Sequence, residues 1–353
     1  MTVTLPVENP TVISRIRRIA LDERWDDFVR EQNGLLFSYS IWAQALEAGY
    51  RRYGAKSICY VFEREGKILC GTIGLVLDFR FIRIFFDNVP YGGLLGERHL
   101  FPEFLGAIEE DLRKQGIHQI RITSHFLNRF ELGDGYKITE TCQHLVDLEG
   151  VTPQSLWDSY GSSTRRAVKK AVKNGVEIRS IRSEQEIEAY YQLYRRTMDR
   201  NDTVGPFRKD FFLSIYHQIV KNGYGDYLFA YAGSKPIAAT FLIFSKDCVV
   251  DYLMVSDERY FDLRPNDLLT HQALVNTLER KCRYFDFATG YGFGDTLSKF
   301  KEKWGAIAYP FHTYTKSFSS LRGHLWNGLW RVANTRLGTS SIFLIRKLLG
   351  RGN

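Results

Sequence analysis

Residues suited to chemistry concentrate in two segments, and the first of them is strongly basic. Its sequence, STRRAVKKAVKNGV at positions 163–176, contains five cations: Arg165, Arg166, Lys169, Lys170 and Lys173. Ser163 or Thr164 at the start and Gly175 at the end are typical of helix termini. Adjacent arginines suit bidentate contact with phosphate, and like charges at helical spacing repel one another unless an anion binds. The segment therefore predicts a phosphate-binding helix, and a solvated basic helix face is the alternative interpretation.

The second segment joins a strand, a glycine-rich loop and a lysine-rich helix. It reads YFDFATGYGFG over 284–294 and continues with LSKFKEKWGA over 297–306. Glycines at alternate positions allow the backbone to approach a ligand closely. Asp286, predicted at the end of the strand, has two interpretations that stay open: it orients an amine substrate, or it is a buried carboxylate that caps the loop.

Several well-known catalytic and metal-binding patterns are missing from the sequence. It contains no G-x-S-x-G, no H-E-x-x-H, no Walker A loop and no G-x-G-x-x-G after a predicted strand. The eight histidines are dispersed, and the five cysteines form no Cys-x-x-Cys pair. We therefore expect no metal site, no bound cofactor, and reduced thiols in a cytoplasmic protein.

Positive charge is confined to particular stretches of the chain. The 353 residues carry a formal net charge of +8, and 44% of them are hydrophobic and 14% aromatic. This composition excludes a disordered or collagen-like chain. Seven Lys or Arg residues and one acid lie in 164–182, and seven cations and no acid lie in 316–353. Two basic elements on a slightly acidic body indicate an anionic partner bound at particular places.

The last basic stretch, 317–353, is predicted to be an amphipathic helical tail. Trp326 and Trp330 lie in a broad apolar arc, which Arg322 and Arg336 interrupt. Two interpretations stay open: contact with an anionic membrane surface, or packing on the first domain. No run approaches about 18 apolar residues, and no leader peptide is visible. We expect a cytoplasmic protein. The tail suggests, as an alternative, a peripheral position on the inner face of the membrane.

The elements that must position these residues occur twice. Strands predicted at 60–65, 68–77 and 79–86 precede a helix over 101–112 and a strand over 119–123. Strands predicted at 227–231, 237–245 and 248–255 precede a helix that begins at Pro265 and a strand over 284–288. Matching elements are offset by about 165 residues. The pattern predicts an α/β protein with mixed (α+β) sheets and two similar domains, 1–150 and 151–316, followed by the tail.

Several of these segments, in this order, resemble tandem-GNAT acyltransferases of the Fem type and their BioF2-like relatives. The resemblance lies in the basic helix, the P-x-x-LL helix start at Pro265, the YFDF strand and the FKEKWGA segment. In the first half, Ser38, Tyr39 and Trp42 resemble the family's early aromatic segment, and the VPYGG sequence at 89–93 resembles its Tyr-Gly-Gly turn. The resemblance covers about residues 20–315. It implies two GNAT-like acyl-CoA N-acyltransferase folds in tandem.

The resemblance also implies an activity, the formation of an amide bond on an amine of a cell-envelope precursor. The first expectation is aminoacyl transfer from aminoacyl-tRNA to a peptidoglycan precursor, which builds an interpeptide bridge. The acceptor is then a nucleotide- or lipid-linked diphosphate.

Roles follow for residues that match the family position by position. Lys301 matches the lysine near the transfer centre, Tyr252 matches an aromatic residue of the cleft, and Asp286 completes the predicted catalytic set. The predicted substrate-binding residues are Arg165, Arg166, Lys169, Trp42, Tyr91, Gly92, Gly93, Tyr291 and Trp304.

The sequence at 264–268 bears on the donor. A GNAT domain that uses acyl-CoA holds the pyrophosphate on consecutive N–H groups of a glycine-containing turn at a helix N-terminus. Here the sequence is RPNDL, in which Pro265 lacks an N–H, no glycine is present, and Asp267 adds negative charge. The sequence therefore favours a donor other than CoA.

Two alternatives stay open. One is an N-acyltransferase that uses acyl-CoA or an acyl-carrier thioester and acts on an amino sugar of an exopolysaccharide or lipid-linked glycan. The other is a non-catalytic protein that binds RNA or an envelope precursor.

Overall fold

A computed structural model of the chain describes residues 15–79, 82–201, 205, 207–290 and 296–319. These residues form one 13-stranded mixed sheet that is covered by helices. The strands are β1 (Arg15–Ile19), β2 (Lys56–Arg64), β3 (Lys67–Asp78), β4 (Arg83–Phe86), β5 (Leu95–Gly96), β6 (Gln119–Thr123), β7 (Lys137–Asp147), β8 (Val176–Ser180), β9 (Gly225–Ala232), β10 (Lys235–Phe244), β11 (Cys248–Ser256), β12 (Tyr284–Gly290) and β13 (Ile307–Ser317).

The α-helices lie between these strands in the chain. They are α1 (Glu23–Glu31), α2 (Ser40–Gly49), α3 (Phe101–Lys114), α4 (Pro153–Ser159), α5 (Ser162–Lys173), α6 (Glu186–Arg200), α7 (Lys209–Ile215), α8 (Pro265–Glu279) and α9 (Thr296–Glu302). Within the described ranges, no helix is both long and apolar enough to cross a membrane.

Each half of the chain has the same arrangement of strands. An antiparallel meander, β2–β3–β4 or β9–β10–β11, is joined in parallel by the strand that follows a helix, β6 or β12. The pairs β4 and β11, α3 and α8, and β6 and β12 begin at 83 and 248, 101 and 265, and 119 and 284. The predicted offset of about 165 residues and the predicted tandem α/β fold are confirmed.

The two halves exchange their closing strands. The sheet order is β1-β2-β3-β4-β6-β13-β7-β12-β11-β10-β9-β8, with β5 paired to β3. Strand β7 of the first half pairs with β12 of the second, and β13 of the second half pairs with β6 of the first. Strands β7 and β13 also pair with each other along nine residues. The sequence predicts a strand near 144–148. It does not predict this crossover, because the strands that pair lie far apart in the chain.

Alternate residues of the central strands reach opposite faces of the sheet, as the period of a strand requires. Tyr227 and Phe229 of β9 pack in a core with residues of α2, α6 and α7. Leu228 and Ala230 of the same strand pack in a second core with residues of α5 and α8. The helices of the second half therefore cover both faces of its sheet.

Several predicted boundaries are confirmed, and two details differ. Helix α8 begins at Pro265, and Gly175 has the expected left-handed conformation, with a φ of 71°. Helix α5, however, begins at Ser162 after Gly161 and has no side-chain cap, because Thr164 is buried within the helix. Strand β12 continues past Asp286 to Gly290. The predicted tail lies outside the described residues from position 320 onward.

The exchanged strands make a prediction about the two halves. Residues 1–150 and 151–353, expressed separately, should each fail to fold cooperatively, because each lacks a strand that the other supplies. Circular dichroism during denaturant titration would check this, with the full chain as the control. A cooperative transition for either isolated half would contradict the prediction.

Candidate active site

The sheet of the second half opens between β11 and β12. These parallel strands are in register over three residue pairs only, ending at Val250 and Asp286. Beyond that point Tyr252 is an extra residue on β11, a β-bulge opposite β10. On β12, Phe287 and Ala288 do not pair with any described residue of the neighbouring strands β11 and β7. The result is an opening whose edges carry residues that the sheet leaves unpaired.

Lys301 of α9 reaches this opening. Its side chain is buried, with 4% of the residue exposed, and its Nζ donates a hydrogen bond to the Ala288 carbonyl oxygen at 3.2 Å. Ala288 has a φ of 55°, a conformation that few non-glycine residues adopt. A buried ammonium is costly unless it is paired with acceptors or anions. The position of this cation is therefore fixed by the edge of the opening.

Asp251 is the first residue of β11 beyond the paired segment. It is buried, and one of its carboxylate oxygens accepts a hydrogen bond from the hydroxyl of Thr240 on β10. Burial raises the pKa of Asp251 to about 6, against the lowering influence of Thr240 and Lys301. The carboxyl group consequently changes its charge close to neutral pH.

Asp286 joins the two halves through a buried contact with His125, which follows β6. The His125 Nε2 atom lies 3.1 Å from Asp286 Oδ2, and both side chains are fully buried. His125 Nδ1 accepts the Leu127 N–H at 3.1 Å, so the proton of a neutral ring lies on Nε2, which faces Asp286 Oδ2 and also lies 3.0 Å from the Gln143 side-chain nitrogen. The other oxygen of Asp286 accepts the Ala288 N–H at 2.8 Å. Asp286 is thus a buried carboxylate that fixes both the junction and the bend of β12.

Aromatic residues of the first half line the other side of this junction. The Tyr91 ring lies 4.6 Å from the His125 ring, and burial followed by the charge of Asp286 raises the pKa of the Tyr91 hydroxyl. Trp42 packs edge-on against Tyr252 at 5.7 Å. The structure therefore brings four predicted site residues from both halves close to Asp286 or to β11: Trp42, Tyr91, Tyr252 and Lys301.

The predicted Tyr-Gly-Gly turn is held by a buried acid of the first half. Asp87 Oδ2 accepts the N–H groups of Gly93, at 2.5 Å, and of Thr123, at 2.9 Å. A Cβ atom on Gly92 would lie 1.5 Å from the Asp87 carbonyl oxygen, so only glycine fits there. Gly93 has a φ of 95°, which glycine adopts without strain. The turn glycines thus have a structural reason that is independent of a ligand.

Asp87 and Asp251 occupy matching places in the two halves. The pairing of β4 with β6 ends at Phe86, and Asp87 is the next residue. The pairing of β11 with β12 ends at Val250, and Asp251 is the next residue. In the first half, however, the carboxylate binds two backbone N–H groups across the corresponding gap. The second half keeps its carboxylate beside Lys301 instead.

The predicted phosphate helix, α5, has one cation in a structural role and several on the surface. Arg165 Nη1 donates to the carbonyl oxygens of Asp158, at 3.0 Å, and Tyr160, at 2.6 Å. Arg166 and Lys169 are exposed, and Lys169 lies 5.8 Å from the Trp157 ring. Arg166 forms no ion pair with an acid in the described part of the chain.

A short series of aromatic residues leads from α5 toward Lys301. Trp157 is 5.9 Å from Tyr160, and Tyr160 is 5.0 Å from Trp304, which lies three residues after Lys301. Trp304 is buried, and its indole N–H has no hydrogen-bond partner among the described residues. Tyr291, the remaining predicted binding residue, lies outside the described residues.

Three residues of this site carry no signal in the sequence. Asp251 and Thr240 sit inside apolar, β-rich runs, and His125 follows a short strand in the other half of the chain. The predicted duplication contains the one available clue, since Asp251 follows Asp87 by about 165 residues. The contact between His125 and Asp286 depends on the strand crossover, which the sequence does not reveal.

The start of α8 differs electrostatically from what the sequence suggests. Asp267 is buried and forms an ion pair with Lys303, at 2.5 Å, so its charge is compensated. Arg264, with a φ of 61°, precedes the helix, and Pro265 still removes one N–H donor. The negative charge expected to repel a pyrophosphate is therefore neutralised, and the missing donor remains.

Comparisons with known proteins agree with this geometry. Residues 159–302 match the family model of the acetyltransferase (GNAT) domain. This segment of the second half is similar to a GNAT acetyltransferase domain. The match contains the opening between β11 and β12, helix α5 and Lys301, so the prediction of an N-acyltransferase is confirmed for this domain. No curated protein matches the chain in sequence.

Solved structures extend the resemblance in fold to most of the chain. A crystal structure of FemX superposes with a TM-score of 0.65 at 13% identity, covering 84% of this chain and 96% of FemX. A tandem GNAT protein from the clavulanic acid biosynthesis pathway gives 0.57 at 13% identity and covers 87% and 99%. The C-terminal domain of a protein described as a lysylphosphatidylglycerol synthetase, from Agrobacterium fabrum, gives 0.55 at 16% identity and covers 86% and 93%. The resemblance to the Fem-type tandem-GNAT fold is confirmed.

Metal ligands are not grouped in this protein as far as the described residues show. No set of three or more His, Cys, Asp or Glu side chains there could hold a metal ion.

The buried contact at the junction can be tested through stability. Asp286→Ala leaves the buried His125 N–H without an acceptor and should lower the free energy of unfolding by about 1–3 kcal/mol. Denaturant titration would measure it. The control is Glu140→Ala, which removes the carboxylate that lies 3.2 Å from His312 at the surface and should cost no more than about 1 kcal/mol. Equal losses in the two variants would contradict a special role for the buried contact.

Proposed function

We propose that this protein forms an amide bond on an amine of a cell-envelope precursor, with aminoacyl-tRNA as the donor and a peptidoglycan precursor as the acceptor. One observation carries the proposal: a GNAT domain holds a buried ammonium, Lys301, at the opening between β11 and β12. GNAT domains bring an acyl donor and an amine acceptor together, and a fixed cation at that place suits acyl transfer.

The chemistry follows from the charge that develops during transfer. The amine nitrogen attacks the ester carbonyl of the donor, and the carbonyl oxygen becomes negative in the tetrahedral intermediate. An ammonium group fixed in a dry site stabilises such an oxyanion without reorganisation. Lys301 takes this role, Asp286 holds the bend of β12 that positions it, and Tyr252 lines the acceptor side. These roles rest on the resemblance and on the geometry of the opening.

The acceptor is proposed to bind between the opening and α5. A nucleotide- or lipid-linked diphosphate would supply the anion for Arg166 and Lys169, which are exposed. Arg165 contributes indirectly, since it fixes the turn before α5 through two carbonyl oxygens. The buried indole N–H of Trp304 has no partner among the described residues, so we assign it as a donor to the acceptor. Trp42 and Tyr91 are buried, so they and the turn at Gly92 and Gly93 are proposed to support the acceptor site from the first half.

A thioester donor is the second candidate, and one observation favours it. The ion pair between Asp267 and Lys303 removes the negative charge that would repel a pyrophosphate at the start of α8. The function would then be transfer from acyl-CoA or an acyl carrier to an amino sugar. Both donors occur in the cytoplasm. Contact of the tail, residues 317–353, with the inner face of an anionic membrane stays a prediction.

The donor assay separates these candidates. The protein is incubated with charged tRNA and, separately, with acyl-CoA, each with a nucleotide-linked muropeptide precursor or a lipid-linked amino sugar. Mass spectrometry of the products identifies the new amide. Transfer from the thioester alone would overturn the choice of donor, and transfer from neither would overturn the proposed function.

Lys301 can be tested directly. Lys301→Met, which keeps the length of the side chain but removes its charge, should lower kcat by about 10²–10³-fold, as loss of an oxyanion donor does. Single-turnover rates with the successful donor would measure the change. The control is Lys299→Ala, because Lys299 lies on the same helix and is exposed. Similar rates for both variants would contradict the role of Lys301.

The acceptor side of the site gives a separate prediction. Arg166→Ala combined with Lys169→Ala should raise KM for the diphosphate-linked acceptor and flatten its dependence on salt, since exposed charges are screened by ions. The rate at saturation should change little, because neither residue lies at the opening. Lys221→Ala, which removes an exposed cation of another surface, serves as the control. An unchanged KM in the double variant would leave α5 as a solvated basic helix.

A further inference from the structure

Amide formation requires the attacking nitrogen to lose a proton, and none of the catalytic roles assigned so far accounts for it. Lys301 carries a positive charge when it stabilises the oxyanion, so it cannot accept that proton at the same time. A carboxylate close to the opening is the group that the chemistry needs. The inference below rests on the proposed transfer reaction.

The carboxylates around the opening are not equivalent. Asp286 has both oxygens engaged, one by His125 and the other by the Ala288 N–H, and it is fully buried. Asp251 has one oxygen engaged by the Thr240 hydroxyl, and 6% of the residue is exposed. Asp251 also directly follows Val250, where the pairing of β11 with β12 ends. Of these two carboxylates, Asp251 is the one that has an oxygen without a hydrogen-bond partner among the described residues.

We propose that Asp251 is the proton acceptor of the transfer reaction. The neutral amine forms the new C–N bond to the donor carbonyl carbon, and the proton on that nitrogen passes to the Asp251 carboxylate. As the C–O bond of an ester donor breaks, or the C–S bond of a thioester, Asp251 returns the proton to the leaving oxygen or sulfur. The carboxylate is thereby regenerated, and no further reactant is needed.

The charges around Asp251 suit this role. Burial raises its pKa to about 6, the hydrogen bond from Thr240 and the charge of Lys301 lower it, and Asp286 raises it. Helices α6 and α8 both pack on β11. On α6 the neighbouring titratable group is the Tyr190 phenol, which donates a hydrogen bond to the Leu253 carbonyl oxygen at 2.7 Å. On α8, Asp267 is paired with Lys303, and His271 contacts the Tyr160 hydroxyl at 3.2 Å. The group is therefore ionised at neutral pH, when it must accept a proton, and becomes inactive as the pH falls through about 6.

The test is the dependence of kcat/KM on pH, with the donor that the donor assay identifies. The wild-type protein should lose activity below a pH of about 6, where Asp251 is protonated. Asp251→Asn should lower kcat/KM by about 10²–10⁴-fold, the range for loss of a general base, and its residual activity should no longer fall at that pH. Thr240→Val removes a hydrogen bond that favours the ionised carboxylate, so it should move the acid limb to higher pH.

Two further measurements keep the outcomes distinct. Asp226→Asn is the matched control, because burial also raises the pKa of Asp226 and the Ser180 hydroxyl also binds it, yet it lies on β9. Its pH profile should match the wild type. Calorimetric binding of the acceptor to Asp251→Asn should match the wild type as well.

An unchanged pH profile in Asp251→Asn, an unmoved limb in Thr240→Val, or a defect of acceptor binding alone would overturn the assignment of Asp251. The proposed function would survive each of those results. Failure of the wild-type protein to form an amide from either donor would instead remove the proposed function itself.

Discussion

The exchange of β7 and β13 is the constraint on which the rest of the structure depends. Each strand leaves its own half and pairs inside the other, so the halves share a single hydrogen-bonded sheet. Strand β12 pairs with β7 on one side and with β11 on the other only as far as Asp286, so the sheet is open where Asp251 and Lys301 lie. The same crossover brings His125 of the first half against Asp286 of the second. The candidate site is therefore a product of the junction and not of one half alone.

Duplication explains why only one of two similar places remains open. In the first half Asp87 uses its carboxylate to tie two backbone N–H groups together, which seals the gap between β4 and β6. In the second half the matching acid is held by one hydroxyl and lies in the field of Lys301. In the proposed reaction the first half thus contributes support, and the second half contributes the reactive groups.

Local pattern was sufficient to predict the strands, the helices and their repetition, since alternation, glycine turns and Pro265 act within a few residues. Lys301, Trp304 and the Tyr-Gly-Gly turn could be found through resemblance to a family. Asp251 could not, because a single acid in a β-rich run reveals neither its burial nor its neighbours. The predicted cap of α5 and the predicted end of β12 were wrong, because both depend on tertiary packing. Thr164 is buried within α5, and Ala288 has a left-handed conformation inside β12.

A sheet that runs without interruption through both halves also limits how molecules reach the site. A clamshell motion of the two halves would have to break the ladder β6–β13–β7–β12, whose hydrogen bonds are cooperative and costly to lose together. Entry and exit are therefore left to the connections at the rim, where rearrangement disturbs few backbone pairs. We therefore expect the sheet to hold Asp251 of β11 in place during turnover, with movement confined to its edges.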